Sequence, residues 1–279
     1  MGVVQAAWML KYLLALGLTT AALALPPGQG QAPSGALTDR QWLDQCDLAR
    51  VLYLGEEHNG AADHQLQHDV LEELARPPVV VAEMFQNVSR PALDAYIAGR
   101  LDDDELRTCS EWEKRWGHAW EQYLPIWQLC QMGHWPLRPL RNSSESGKNL
   151  GKLGVNAFSP EERQGLRPEP YEFGPHPETL RSVFEGHAGK VGDEAFARFL
   201  KVQVLWEEYM AAQIRRALAE TDGPVVVLVG KGHLTHGFGL PYRVQADWPH
   251  PLTQKIVLYN PSESERNRAD LWWQPAQTP

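Results

Sequence analysis

Three short apolar runs in this chain end on residues that can do chemistry. Val51-Leu52-Tyr53-Leu54 leads into Gly55-Glu56-Glu57-His58, Val79-Val80-Val81-Ala82 leads into Glu83, and Val225 to Val229 leads into Gly230-Lys231-Gly232-His233. If these ends meet, two carboxylates and two imidazoles share one place. Glu56, His58, Glu83 and His233 would then suit a divalent metal (zinc, manganese, cobalt or ferrous iron) with a vacant position that activates water. Without metal, a Glu/His pair can serve as general base and acid. Each residue taken singly is equally a hydrogen-bonding turn residue, so the joint pattern carries the weight. His64 and His68 stand one helical turn apart but lack the Glu of H-E-x-x-H, so no zincin frame is present.

The elements that must position these residues can be read from periodicity. Continuous apolar runs of four to six residues fit strands buried on both faces of a parallel sheet. Between the first two, Asp63 is placed to cap a helix with Leu66, Val70, Leu71 and Leu74 as its stripe, stopped by Arg76-Pro77-Pro78. Strand, helix, strand in about thirty residues is a βαβ unit, whose crossover brings both strand ends to one edge. In such sheets ligands gather beyond the carboxyl ends. Residues 89–135 read as helices, with an acidic first turn at Asp102 to Glu105, and Trp135 to Leu140 as an edge strand because of its prolines. Residues 141–178 read as an irregular connection with a short helix at Pro160 to Arg163. Asp193 to Ala219 is the clearest helix, with a stripe running from Phe196 to Ala217. Within it Gln203 and Glu207 interrupt the apolar face, either to satisfy buried backbone or to meet a polar network. Ile256 to Tyr259 reads as a late strand. The sum is an α/β fold: a mostly parallel sheet flanked by helices, with a large helical insertion over about residues 86–220.

Composition narrows the function classes. The net charge of -9 argues against nucleic acid as a partner. Many of the eleven Trp fall between Trp112 and Trp135, either as core or as a wall for a large planar ligand. Lys11, the apolar run Tyr12 to Leu25 and Ala22-Leu23-Ala24 read as a secretory signal peptide over residues 1–24, with Met9 as an alternative start. A Pro/Gly/Gln-rich leader follows over 25–37, then a single domain over 38–279. The expected destination is periplasmic or secreted. Cys46, Cys109 and Cys130 match no zinc pattern; one disulfide with one free thiol, Cys109–Cys130 being the first pair to test, or three buried thiols are both open.

Together these pieces resemble a known family. Gly55-Glu56-x-His58, His64-x-x-Gln67, Glu83-Met84-Phe85, Trp120-x-x-Tyr123-x-Pro125 and Phe184-x-x-His187 follow one another in its order. Gln203-x-Leu205-Trp206-Glu207, Gly230-x-Gly232-His233 and Gly239-Leu240-Pro241 complete the series. The chain resembles the ChaN-like haem-binding uptake proteins of the Tiki superfamily, which also includes erythromycin-esterase-like proteins. The resemblance implies haem as ligand, a homodimer with two face-to-face haems, a tyrosine on each iron, and haem transport components of the outer or inner membrane as partners. It gives Tyr123 and Tyr171 as iron-ligand candidates, with Tyr209 an outsider, and His187 as a polar contact. His64, Gln67, Gln203 and Glu207 become supporting polar residues. Elsewhere in the superfamily, the Glu/His residues at strand ends look like a hydrolase site acting on a peptide, ester or lactone. This chain departs from the pattern at Ala62-Asp63-His64, at Glu207, where Asp is usual, and in showing no lipobox cysteine.

Overall fold

A computed structural model describes residues 40–167, 180–181, 192–234 and 239–274. The signal peptide and leader expected before residue 38, and the candidates Tyr171 and His187, lie outside the described residues.

Six strands form one parallel sheet in the order β3-β2-β4-β1-β5-β6. They are β1 (Val51–Glu56), β2 (Val79–Gln86), β3 (Leu137–Arg141), β4 (Val225–Gly230), β5 (Gln254–Tyr259) and β6 (Leu271–Trp273). Every residue of β1, β2 and β4 is buried, which is why their sequences are unbroken apolar runs rather than alternations. The Pro-containing β3 takes an edge, where a missing backbone donor costs no ladder bond. The short β6 edge was not evident from the sequence.

The βαβ expectation holds for the shared edge but not for adjacency, because β4 inserts between β1 and β2. The chain leaves β2 towards the β3 side and leaves β4 towards the β5 side. These two connections diverge, so a crevice opens beyond the carboxyl ends of β2 and β4, the place where open α/β sheets bind ligands.

The pleat sends alternate residues to opposite faces. Leu52, Leu54, Val226 and Leu228 pack on one side with helices α2 (Ala61–Glu73) and α6 (Trp120–Met132). Val51, Tyr53, Val225 and Val227 pack on the other with α9 (Asp193–Glu220) and α10 (Leu240–Ala246). The tryptophan-rich stretch belongs to the first core. Trp112, Trp120 and Trp127 are buried, and Trp112 meets Phe85, Trp120 and Tyr123 edge-on. These three form core rather than a wall for a planar ligand, whereas Trp116 lines an open cavity.

Three local expectations are corrected. Residues 144–153 form a helix, α7 (Ser144–Leu153), capped by the Ser143 side chain. A Cβ at Gly151 would make ordinary van der Waals contact, 3.5 Å, with Val202 Cγ2 and Arg198 Cγ, so this face of α7 packs against α9, which holds the segment helical. Asp63 does not cap α2; Gly60 holds that position with no side-chain cap. Cys46, Cys109 and Cys130 are all free thiols, with Cys109 exposed and the other two buried.

Candidate functional site

The motif residues assemble as two polar hubs on opposite faces of the sheet, with His58 at the crest between them. Glu56 continues the parity of Leu52 and Leu54, so its carboxylate enters the core beneath α2 and α6. There it is fully engaged. Oε1 accepts the Tyr123 hydroxyl at 2.7 Å and lies 2.9 Å from His58 Nδ1, while Oε2 accepts Gln67 Nε2 at 2.9 Å. His64 sets its ring, tilted by 40°, 4.1 Å from that of Tyr123 and turns Nε2 towards Glu56 Oε2 at 3.6 Å, longer than a hydrogen bond. Burial alone would raise the Glu56 carboxyl, but the His58 hydrogen bond, the nearby His64 and the Tyr123 hydroxyl reverse this and bring it down to about 2. Glu56 is therefore an anion that organises its neighbours.

The second hub lies on the α9 face. His233 follows β4 in a short 3-10 turn (Lys231–His233), and its Nδ1 lies 2.9 Å from Gln203 Nε2 and 3.2 Å from Glu207 Oε1. Gln203 thus joins a side-chain network and does not cap buried backbone. Arg243, wholly buried on α10, donates Nε to Glu207 at 3.1 Å and Nη1 to Glu208 at 2.6 Å. Glu83 accepts the Gly230 amide at 2.7 Å, and its other oxygen is 3.7 Å from His233 Nε2. Burial works against a charged His233, yet the Glu207 hydrogen bond and the charges of Glu83 and Glu207 raise its pKa.

His58 reaches from the first hub over the sheet edge to the second. A Cβ at Gly230 would lie 2.7 Å from His58 Cε1 and 3.5 Å from Glu83 Oε2, so only glycine lets the imidazole cross here. Burial lowers the His58 pKa, but the hydrogen bond to Glu56 and the charge of Glu83 outweigh it and raise it. Its outer face meets Trp116 edge-on at 4.7 Å and the ring of His118 at 5.4 Å. His118 in turn bonds Asn59 at 2.8 Å.

The four predicted rim residues do converge on one sheet edge, but not as a ready set of metal ligands. Among the described residues, ligating atoms within 4.8 Å of one another occur in His68, Asp69 and Glu72, a partly exposed group on α2. The reason is geometric. β1 and β2 are two strand spacings apart, roughly 10 Å, and Glu56 faces the opposite side of the sheet from Glu83. Tyr123, an iron-ligand candidate from the sequence, lies inside the first hub. It is fully buried and donates to Glu56 and, at 3.2 Å, to the His58 carbonyl, and burial beside that carboxylate holds its phenol well above the ordinary range. Tyr209 is equally buried, stacked on Phe158. Arg243, His118 and Trp116 escaped the sequence reading. Arg243 sits one turn after Gly239-Leu240-Pro241, and a cation in an otherwise apolar stretch was its one signal.

The sequence of residues 42–244 matches the family described as haem-binding uptake, Tiki superfamily, ChaN. The chain belongs to this family. Among solved structures it is similar to ChaN of Campylobacter jejuni, described with cofacial haem binding, at 16% identity and a TM-score of 0.66, covering 84% of this chain and 91% of that one. Weaker likenesses include the type III effector HopBA1, at 12% identity and TM-score 0.49 over 90% of this chain and 98% of that one. A mutant erythromycin esterase in its open conformation follows at 11% identity and TM-score 0.42, over 79% and 71%. No curated protein matches the chain in sequence. The ChaN likeness supports the same α/β fold. The family's short motifs here acquire a physical meaning: Gly55-Glu56-x-His58, His64-x-x-Gln67 and Trp120-x-x-Tyr123 build the first hub. Gln203 to Glu207, Gly232-His233 and Gly239-Leu240-Pro241 build or border the second.

Proposed function

We propose that this protein is exported from the cytoplasm and binds haem as part of haem or iron uptake, pairing with a second copy when loaded. The observation that carries the reading is the family match over residues 42–244. Of the three tyrosines singled out as iron ligands, Tyr123 and Tyr209 are enclosed in the core, which leaves Tyr171, with His187 as a polar contact. The described residues bordering that segment suit a planar, anionic ring. Leu180, Phe196, Phe199 and Leu200 form an apolar cluster, and the Arg181 guanidinium lies 4.2 Å over the Phe196 ring. Haem bound there would be cargo held by an oxygen ligand and an apolar face. Titration with hemin tests this: saturable growth of a Soret band with accompanying dimerisation supports it, and only linear, non-saturating absorbance would sink it.

A second reading is favoured by the His58–Glu56 pair: hydrolysis of a peptide, ester or lactone at the same crest. Glu56 fixes His58 through Nδ1, which leaves Nε2 to take a proton from water as that water attacks a carbonyl. Glu83 and His233 stand beside it to return a proton to the leaving group. A divalent metal would require the rim donors to draw closer than they stand, so this step runs on water and side chains alone. Ester hydrolysis lost in His58→Ala but unchanged by chelation would support it. No turnover across peptide, ester and lactone panels would end it.

A further inference from the structure

Beside His58 opens a cavity of about 530 Å³ whose walls differ in character. His58 and Glu83 form one end, and Trp116, Trp206 and Met210 supply apolar surface. Lys114, Arg115, Arg141 and Lys148 bring four cations to the remainder, in a chain whose net charge is -9. Two of these are already neutralised in part, because Lys114 and Arg115 share Glu111. Arg141 differs. It is half-buried at the end of β3, rests on the Trp116 ring at 5.3 Å, and donates to the Arg115 carbonyl at 3.3 Å. Among the described residues no carboxylate stands within 4.0 Å of its guanidinium. Glu83, at the His58 end, acts on Arg141 only through its charge, from beyond ion-pair distance, and has one oxygen held by the Gly230 amide. Lys148 is exposed on α7, one turn beyond the Ser143 cap, so the positive end of that helix faces the same space.

We propose that this cavity binds a small organic anion, a carboxylate- or phosphate-bearing molecule with an apolar body. Its charged end meets Arg141 and Lys148, its body lies against Trp116 and Trp206, and its far end reaches His58. A planar guanidinium pre-set on an aromatic face and lacking a carboxylate partner is suited to such an oxyanion. The size is that of sites for small molecules. This assignment does not rest on haem binding, since the apolar cluster at Phe196 and Phe199 does not line the cavity.

Isothermal titration with phenyl phosphate, benzoate and inorganic phosphate tests it on the full chain. Saturable one-to-one binding of phenyl phosphate or benzoate is expected, with inorganic phosphate weaker because it lacks the apolar body. Preference between the first two identifies the charged group. Arg141→Gln is expected to weaken the better probe about tenfold or more. Lys148→Gln, at an exposed position that does not threaten folding, is expected to weaken it by a smaller factor and to reduce its salt dependence. Absence of saturation with every probe overturns the proposal, as does an affinity unchanged in Lys148→Gln and Arg141→Gln alike. Should Arg141→Gln fail to fold, an unchanged Lys148→Gln overturns it alone. Hemin titration of the same variants separates this site from the haem reading. Haem stoichiometry retained while anion binding falls is the expected result, and joint loss would make the cavity a propionate pocket and refute the assignment.

Discussion

Replacing Tyr123 by Phe removes one oxygen from the centre of the first hub and leaves the ring packing intact. The hydroxyl donates to an ionised carboxylate at 2.7 Å in a fully buried setting, a class of bond worth ~1.5–3 kcal/mol. The same Glu56 oxygen keeps His58 at 2.9 Å, so the carboxylate is not orphaned and the His58 carbonyl loses only a longer 3.2 Å contact; the loss should fall at the lower end, about 1.5 kcal/mol. That corresponds to a rise in the Glu56 pKa of about one unit, from about 2. The sign follows from the direction of the shift. A carboxyl depressed by folding contributes stability above its unfolded pKa, and that contribution is lost as pH falls through the folded value. The cost of Tyr123→Phe should therefore be full near neutral pH and shrink below pH ~3. Urea unfolding at a series of pH values reads this directly. A cost under about 0.5 kcal/mol, or one that stays constant down the acid limb, would refute the view that Tyr123 serves the Glu56 anion.

Other perturbations test other parts. Gly230→Ala sets a methyl 2.7 Å from His58 Cε1, which should cost ~1–3 kcal/mol as the ring is displaced. The His58 pKa, followed by NMR, should then drop towards its ordinary value; an unmoved titration would contradict the crossing geometry. Arg243→Met leaves Glu207 and Glu208 with less compensation in a buried setting, so a loss of roughly 3–5 kcal/mol is expected in denaturant unfolding. A loss under 1 kcal/mol, within the range of surface pairs, would show that the network does not depend on it. Thiol titration of the native protein should find Cys109 reacting fast and Cys46 and Cys130 slow, since burial pushes both of the latter thiols up. A native protein with no fast thiol would instead indicate a pairing of Cys109.

Much of this arrangement could be read from the chain because its determinants are local. Unbroken valine-rich runs admit little besides doubly buried parallel strands, and the residues that end them must lie at one edge. The 28-residue helix α9 announced itself by its stripe. Non-local facts could not be read this way. Nothing in Val225 to Val229 says that β4 will slip between β1 and β2, and that insertion separates Glu56 from Glu83. Strand parity then decides that the four rim residues divide between two faces. Tyr123 lay in a recognised motif, but its role depends on where α6 packs, which spacing does not encode. The polar, glycine-containing stretch of α7 misled because its helix is held by packing against α9, which local composition does not reveal. Arg243 was hidden for a related reason: its partners come from a helix some thirty residues earlier.

The central claim is that this chain binds haem outside its buried Glu56–Tyr123 hub. Parallel hemin titrations of the unaltered protein, Tyr123→Phe and Tyr171→Phe decide it most directly. A saturable Soret band that survives Tyr123→Phe and is lost or displaced in Tyr171→Phe is the predicted result. Loss in Tyr123→Phe with retention in Tyr171→Phe, or no saturation in any of the three, would contradict the account.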